Sequence, residues 1–340
     1  MKIKDIYLFL DSLAPFKTAL KWDNSGFLIG NINDEFKGGL ICLDITDDII
    51  DECLSKNFNL IITHHPVIFN KLNKITSDML VYKLIKNNLN VISLHTNLDM
   101  AETGVNFVLA KTLNLFDLKT LSLETEGFYY KLSIFSPIKH FDTIKQNILK
   151  FGASIKNIIE LGRQAIPFYN DTIKIDAIIN PDNINNIINN LIEAYPDDKP
   201  IYEINKIYDK TNFLSLGLIG SLKNSYTPKA FAEFVKEKLN CKKISYISGN
   251  KDIKTVAVCS GSGSDLFKNT LNKDIDAYIT SEIKHNIWLE AKRAGLTLLD
   301  AGHFNTENII CLFLSEKLNC NFKTNNFYVA ENNIYIIEII

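Results

Sequence analysis

The pattern of apolar and polar positions changes rhythm three times along the chain. The opening stretch "MKIKDIYLFLDSLAPF" spaces its apolar residues as one helical face, with Asp5 and Asp11 interrupting the run, which predicts an amphipathic first helix. "KWDNSGFLIGN" follows as an Asp-, Asn- and Gly-rich turn leading into a short strand. Short apolar runs then alternate with helical patterns. "KGGLICLDI" (38–46), "FNLIITHHP" and "NVISLHTNLDMA" read as strands. "TDDIIDECLSKN", capped by Thr46 or Asp47, and "DMLVYKLIKNNL" read as helices. Strands that are apolar throughout, rather than alternating, predict parallel pairing with helices on both faces.

From about residue 127 the order becomes β-α-β-β-α-β. "YYKLSIFSP", "SIKNIIELGRQAIPFY", "TIKIDAIINP" and "KPIYEINKI" are its strands. "IKHFDTIKQNILKFG", closed by Gly152, and "DNINNIINNLIEAYP", opened by Asp182 or Asn183 and closed before Pro196, are its helices. That order is the one of a ferredoxin-like split βαβ unit. After residue 209 the α/β alternation resumes. "TPKAFAEFVKEKLN" is a helix with Thr227 as cap and Pro228 at its first position. "TVAVCSGSGSDLF" reads as strand, glycine turn and helix, and "DIDAYITSEIKHNIWLEAKRAG" and "LTLLDAGHFNTENIICLFLSEKL" each as strand then helix. "NNFYVAENNIYIIEII" reads as two short strands. The expected architecture is therefore α/β: two α/β lobes with mostly parallel sheets, 1–126 and 210–340, around a ferredoxin-like insert at 127–209.

Composition changes this picture little. The chain has 340 residues, 46% hydrophobic and 22% charged, with a formal net charge of -2. Such a length predicts more than one domain, and the near-neutral balance gives no overall field for nucleic acid or anionic lipid. Six cysteines lie scattered without a CxxC pair, mostly in apolar surroundings, and read as buried free thiols of a reducing compartment. The N-terminus lacks a small-residue cleavage site, and no run approaches the ~20 apolar residues of a membrane span. A cytoplasmic protein without membrane attachment is expected.

The histidines change it more. Five of six fall at the carboxyl ends of predicted strands, where open parallel sheets bind ligands: His64 and His65, His95, His285 and His303. Asp99 follows His95 in "HTNLD", and Glu307 lies four residues after His303 in "GHFNTE", on one helical face. Neighbouring residues of a strand point to opposite faces, so His64 and His65 converge only where the strand ends, and Pro66 enforces that end. Three histidines and two carboxylates suit zinc, manganese or iron with room for water, rather than a closed cysteine-rich structural site. Each piece alone has a plainer reading: a solvated His pair, a surface i,i+4 pair, a core histidine bonded to a carbonyl. Their shared placement favours a metal site. "CSGSGSDLF" fits either an anion cradle at a helix N-terminus or tight strand–helix packing. The sequence around Cys259 shows no candidate base, and a nucleophilic role is not expected. In "WDNSGFLIG", Trp22 reads as a packing residue, with Asp23 and Asn24 fixing a turn.

Taken together, "WDNSGFLIG", "LICLDIT", "LIITHHPVIF", "SLHTNLDMAETGVN", "VAVCSGSGSDLF", "DAYITSEIKHN" and "DAGHFNTE" resemble, in order and spacing, the Nif-three-like family of dinuclear-metal proteins, often named type 2 homologues of GTP cyclohydrolase 1. The resemblance covers nearly the whole chain. It implies two divalent metal ions held by His64, His65, Asp99, His303 and Glu307, with His95 as a further ligand or proton carrier. His95 and Glu307 are then the candidate catalytic residues. It also implies a toroidal homohexamer, a trimer of dimers, and hydrolysis of a nucleotide-like substrate through a metal-bridging hydroxide. A di-metal phosphoester hydrolase and a non-catalytic metal-binding scaffold are the alternatives. One segment departs from the family pattern: "TSEIKHN" carries Ser281, Glu282 and Asn286 where Gly, Asp and His are usual.

Overall fold

The computed structural model describes residues 1–122, 125–150, 153–162, 171–179, 184–194, 201–271 and 273–333. Contacts divide the chain into two compact units, Met1–Glu124 with Leu214–Ile340, and Thr125–Phe213.

The first unit holds two sheets. One runs in the order Gly26–Ile29, Asn90–Ser93, Leu60–Thr63, Gly39–Cys42, Phe327–Val329. Its last four strands are parallel, and only Gly26–Ile29 is antiparallel. The strands Gly39–Cys42, Leu60–Thr63 and Asn90–Ser93 are buried at every position, which is why their sequences are apolar without alternation. Helices Ile3–Leu13 and Ile309–Phe322 cover one face, through Ile3, Ile6, Leu10, Ile310 and Leu314. Helices Asp47–Ser55 and Leu80–Lys86 cover the other, through Ile49, Ile50, Val81 and Leu84. Each such side chain contributes about 1.5–3 kcal/mol on burial. Thr46 caps the first of these two helices by accepting from the Ile49 amide, as the sequence predicts.

The second sheet runs Ser245–Ile247, Thr297–Asp300, Ala277–Thr280, Ile253–Val258, Leu218–Tyr226, Phe116–Thr120. Its Ile253–Val258, Ala277–Thr280 and Thr297–Asp300 strands are parallel. Thr227 caps helix Pro228–Lys238, again as expected. The helix Val105–Thr112 joins the two cores: Val105 packs with the first sheet, Leu109 and Ala110 with the second. A helix apolar on more than one face belongs between layers, and this one fixes the two sheets against each other.

Two strands cross the expected division of the chain. Phe116–Thr120, within the segment assigned to the first lobe, lies in the second sheet. Phe327–Val329, within 210–340, pairs with Gly39–Cys42 in the first. The reason lies far away in sequence: Phe327 stacks on Phe36 and joins the core of helix Ile3–Leu13, a partner that no pattern within 324–330 can reveal. The strand read through "NVISLHTNLDMA" stops at Ser93, and Thr96–Met100 is helical. The helix read after the glycine turn is a 3₁₀ turn, Ser264–Phe267, followed by Lys268–Leu271.

The second unit has one sheet, ordered Ser154–Gly162, Thr172–Ile179, Thr125–Pro137, Ile201–Leu214, with helices Phe141–Lys150 and Ile184–Ala194. Leu132, Ile134, Ile173 and Ile175 meet Ile144, Ile148, Ile187 and Leu191 in its core. The expected helix boundaries at Gly152, Asp182, Asn183 and Pro196, and the second strand of the C-terminal segment, lie outside the described residues.

Candidate metal centre

The site is built where strands of both sheets in the first unit end. Strand Leu60–Thr63 stops at Thr63, but its backbone runs on beside strand Gly39–Cys42: the His64 amide donates to Cys42 O and the His65 amide to Leu43 O. Both rings turn toward one point, with centroids 5.0 Å apart and planes inclined by 47°. His95 caps the short helix that carries Asp99, and its ring centroid is 5.3 Å from that of His64. From the second sheet, helix His303–Glu307 follows strand Thr297–Asp300 and presents its first and last residues on one face.

Among the described residues, three groups of ligand atoms are close enough to hold an ion: His64, His65 and His95; His65, His303 and Glu307; and His64, Asp99 and Glu307. Glu307 belongs to two of them and divides its oxygens between them. Its Oε2 lies 3.1 Å from His65 Nε2 and 3.0 Å from His303 Nε2, while its Oε1 lies 3.8 Å from His64 Nε2. Asp99 Oδ1 is 3.5 Å from His64 Nε2. All six residues expected at the centre are therefore brought together. His285 is not; it opens helix His285–Ala294 on the surface.

Each imidazole is held by its other nitrogen. His64 Nδ1 donates to Leu94 O at 2.7 Å, His65 Nδ1 to Asp44 at 2.8 Å, His95 Nδ1 to Asp23 at 2.9 Å and His303 Nδ1 to Glu282 at 2.8 Å. Fixing Nδ1–H leaves Nε2 as the lone-pair nitrogen, the arrangement that orients metal-binding histidines. The test of fit is His64 Nε2: it is buried, faces two carboxylates and has no hydrogen-bond partner. A buried nitrogen left so is costly in a folded protein, and a divalent cation satisfies it together with the carboxylates around it.

Electrostatics agree. Burial works against charge on His65, but the carboxylates of Asp44 and Glu307 outweigh it and push the imidazole up to about 10. The Glu307 carboxylate, against opposing burial, raises His303 to about 9. Burial raises Glu307 itself, yet the surrounding imidazoles of His303, His64 and His65 hold it well below the usual carboxylate range. The cluster around Glu307 thus favours positive charge.

Over residues 1–336 the sequence matches the Duf34/NIF3 (NGG1p interacting factor 3) family. The chain belongs to that family. A Staphylococcus epidermidis protein named GTP cyclohydrolase 1 type 2 homolog is 31% identical over 331 residues, covering 90% of both chains. A Staphylococcus aureus protein of known crystal structure superposes with a TM-score of 0.87 at 28% identity, over 100% of this chain and 99% of its own. A Bacillus cereus protein related to NIF3 gives 0.79 at 27% identity, over 100% of this chain and 99% of its own.

For a NIF3-family chain, the departure at "TSEIKHN" is settled by geometry: Glu282 accepts from His303 Nδ1, so this segment does orient a site histidine. Ser281 Oγ donates to Gly261 O. Asp44 and Asp23 are histidine partners that the expected ligand set does not contain. Asp44 stands just past the end of its strand, the same signal that marks the histidines. Asp23 reads in sequence as a turn residue, yet its side chain is 0% exposed and bonds both His95 and Thr96. That pairing joins residues far apart in sequence and leaves no local trace.

The glycine turn favours the packing reading over the anion cradle. The amides of Ser260, Gly261 and Gly263 already donate to Asn106, Thr306 and Thr280. Its glycines make room instead. A Cβ on Gly261 would fall 2.1 Å from Glu307 Oε1, and one on Gly263 would strike Thr280 and Cys259.

Proposed function

We propose that this NIF3-family protein is a dinuclear-metal hydrolase acting on a nucleotide-like substrate. The observation that carries the reading is His64 Nε2, buried and unpartnered beside Asp99 and Glu307, with a second ligand group sharing Glu307 next to it. In this reading His64, His65, Asp99, His303 and Glu307 would hold two divalent cations, and the two Glu307 oxygens face different histidines of the cluster. Zinc, iron and manganese suit the mixed imidazole and carboxylate donors. The cations would supply Lewis-acid activation of water and substrate. His95 sits on the partly exposed side of the cluster, with its Nδ1–H fixed by Asp23. Its Nε2 is thereby set to take up a proton from an attacking water and return it to the leaving group.

The substrate class is taken from the relatives' name, which specifies GTP. Guanine-ring opening at C8 and phosphate-ester cleavage both fit such a centre. The direct experiment is incubation of the metal-loaded protein with GTP, following formate and ring-opened product alongside phosphate and nucleoside monophosphate. Metal-dependent formate supports the cyclohydrolase reading, and phosphate or monophosphate the phosphoester hydrolase. Absence of all products above a chelator-treated control overturns both and leaves the scaffold. We further read the 125–213 unit as a ferredoxin-like insert, supported by its strand order and its two helices. The homohexamer implied by family resemblance is checked by light scattering.

A further inference from the structure

Trp22 is 57% exposed and Phe69 50% exposed. Large aromatic rings left in water forgo the stabilisation of burial, and two of them together at a candidate site call for an occupant. Their ring centroids are 5.8 Å apart, with planes inclined by 41°. Both also contact His95: Trp22 edge-to-face at 5.8 Å and Phe69 at 6.2 Å. The two rings therefore rim the side of the cluster on which His95 lies.

Trp22 is not outside because its loop is loose. The next residue, Asp23, is fully enclosed and bonded to His95, to the Thr96 amide at 3.0 Å and to the Thr96 hydroxyl. Asn24 Nδ2 donates to Ile68 O at 2.6 Å, tying the loop of Trp22 to the segment of Phe69. The chain thus anchors the residues on one side of Trp22 and holds the indole out beside the cluster. Lys21 and Lys71, both exposed, put positive charge on the two ring-bearing segments. At 5.8 Å the two aromatic rings are too close to admit a third between them, which requires about 7 Å at ordinary stacking distance. A flat ligand that stacks on Trp22 would then do so from outside the pair, where the indole is exposed.

We propose that Trp22 is a stacking platform for the planar ring of an anionic, nucleobase-bearing substrate, with Phe69 and His95 bracing the indole. The proposal rests on the nucleotide reading above but is tested without turnover. Base–aromatic stacking tolerates any base, so Trp22 sets a requirement for a flat ring, not for guanine.

The test uses the metal-loaded full chain and the emission of Trp22, taken as the difference between the unaltered protein and Trp22→Phe. GTP and ATP should each quench that emission, and inorganic triphosphate should not. Trp22→Ala should weaken GTP binding about 10-fold by calorimetry, Trp22→Phe far less, and triphosphate binding should be unchanged in both. Equal quenching by triphosphate, or no quenching by either nucleotide, overturns the platform. So does a Trp22→Ala protein that keeps its GTP affinity but changes oligomeric state in light scattering, which assigns the rings to a contact between copies. Quenching without any product separates this proposal from the hydrolase reading, which would then fail alone.

Discussion

His65 Nε2 and Glu307 Oε2 lie 3.1 Å apart although 242 residues separate them in the chain. The contact closes the centre between the first sheet and the second. Glu307 is nearly enclosed and its carboxylate faces His64, His65 and His303 together. Replacing it by Ala should abolish metal retention after dialysis, measured by elemental analysis. It should also destabilise the chelator-treated protein by about 3–5 kcal/mol in urea, since it leaves the buried His64 and the half-buried His65 and His303 without their shared counter-charge. Unchanged metal content in Glu307→Ala would sink the assignment.

Asp44 and Glu282 test the outer ring of contacts. Each accepts from the Nδ1 of a histidine whose Nε2 faces Glu307. Asp44→Ala or Glu282→Ala frees that ring to rotate and lose its tautomer, and should lower metal affinity about 10–100-fold in competition with a chelator. Because both carboxylates are partly exposed, the stability of the folded chain should change little.

Acidity gives a third check with a definite sign. In the metal-free protein His65 is raised to about 10 and His303 to about 9. Groups raised on folding contribute stability that is complete below their unfolded value near 6.5 and is lost as pH climbs through 9 to 10. Glu307 is lowered, so its contribution is present above about 4 and is lost in acid. The chelator-treated protein should melt highest between about pH 5 and 6.5 and progressively lower from pH 7 to 10. Metal binding displaces these protons, so the loaded protein should hold its melting temperature at pH 8–9 and release metal on acidification. A chelator-treated protein most stable at pH 9 would contradict the charge arrangement.

Gly261→Ala probes the room reserved for Glu307. The residue has φ +58, and an added methyl would lie 2.1 Å from Glu307 Oε1 and 3.2 Å from His303 Nε2. Strain of about 1–3 kcal/mol is expected from the backbone alone. The displaced carboxylate should lower the metal content, again read by elemental analysis. A fully loaded Gly261→Ala protein would show that the turn does not shape the centre.

Much of this was legible in the sequence because it depends on short-range signals. Strands buried on both faces are apolar throughout, Thr46 and Thr227 announce their helices, and Pro66 marks where two adjacent histidines are freed from strand alternation. His64, His65, Asp99, His303 and Glu307 stand out because ligand-type residues at strand ends break an apolar rhythm. What stayed hidden depends on distance. Asp23 looks like a turn residue until His95 is placed against it. Gly261 looks like part of a phosphate loop until its amide is found bonded to Thr306. The pairing of Phe327–Val329 with Gly39–Cys42 has no signature in either segment.

That last pairing orders events during synthesis. Asn333 follows the strand and bonds both Leu43, whose carbonyl receives the His65 amide, and Asn308, the neighbour of Glu307. A nascent chain that has exposed His64 and His65 still lacks the strand beside their sheet and the clasp beyond it. Its histidines wait through the translation of more than two hundred further residues before Glu307 can face them. The cluster is closed only once the segment up to Asn333 has been added to the chain.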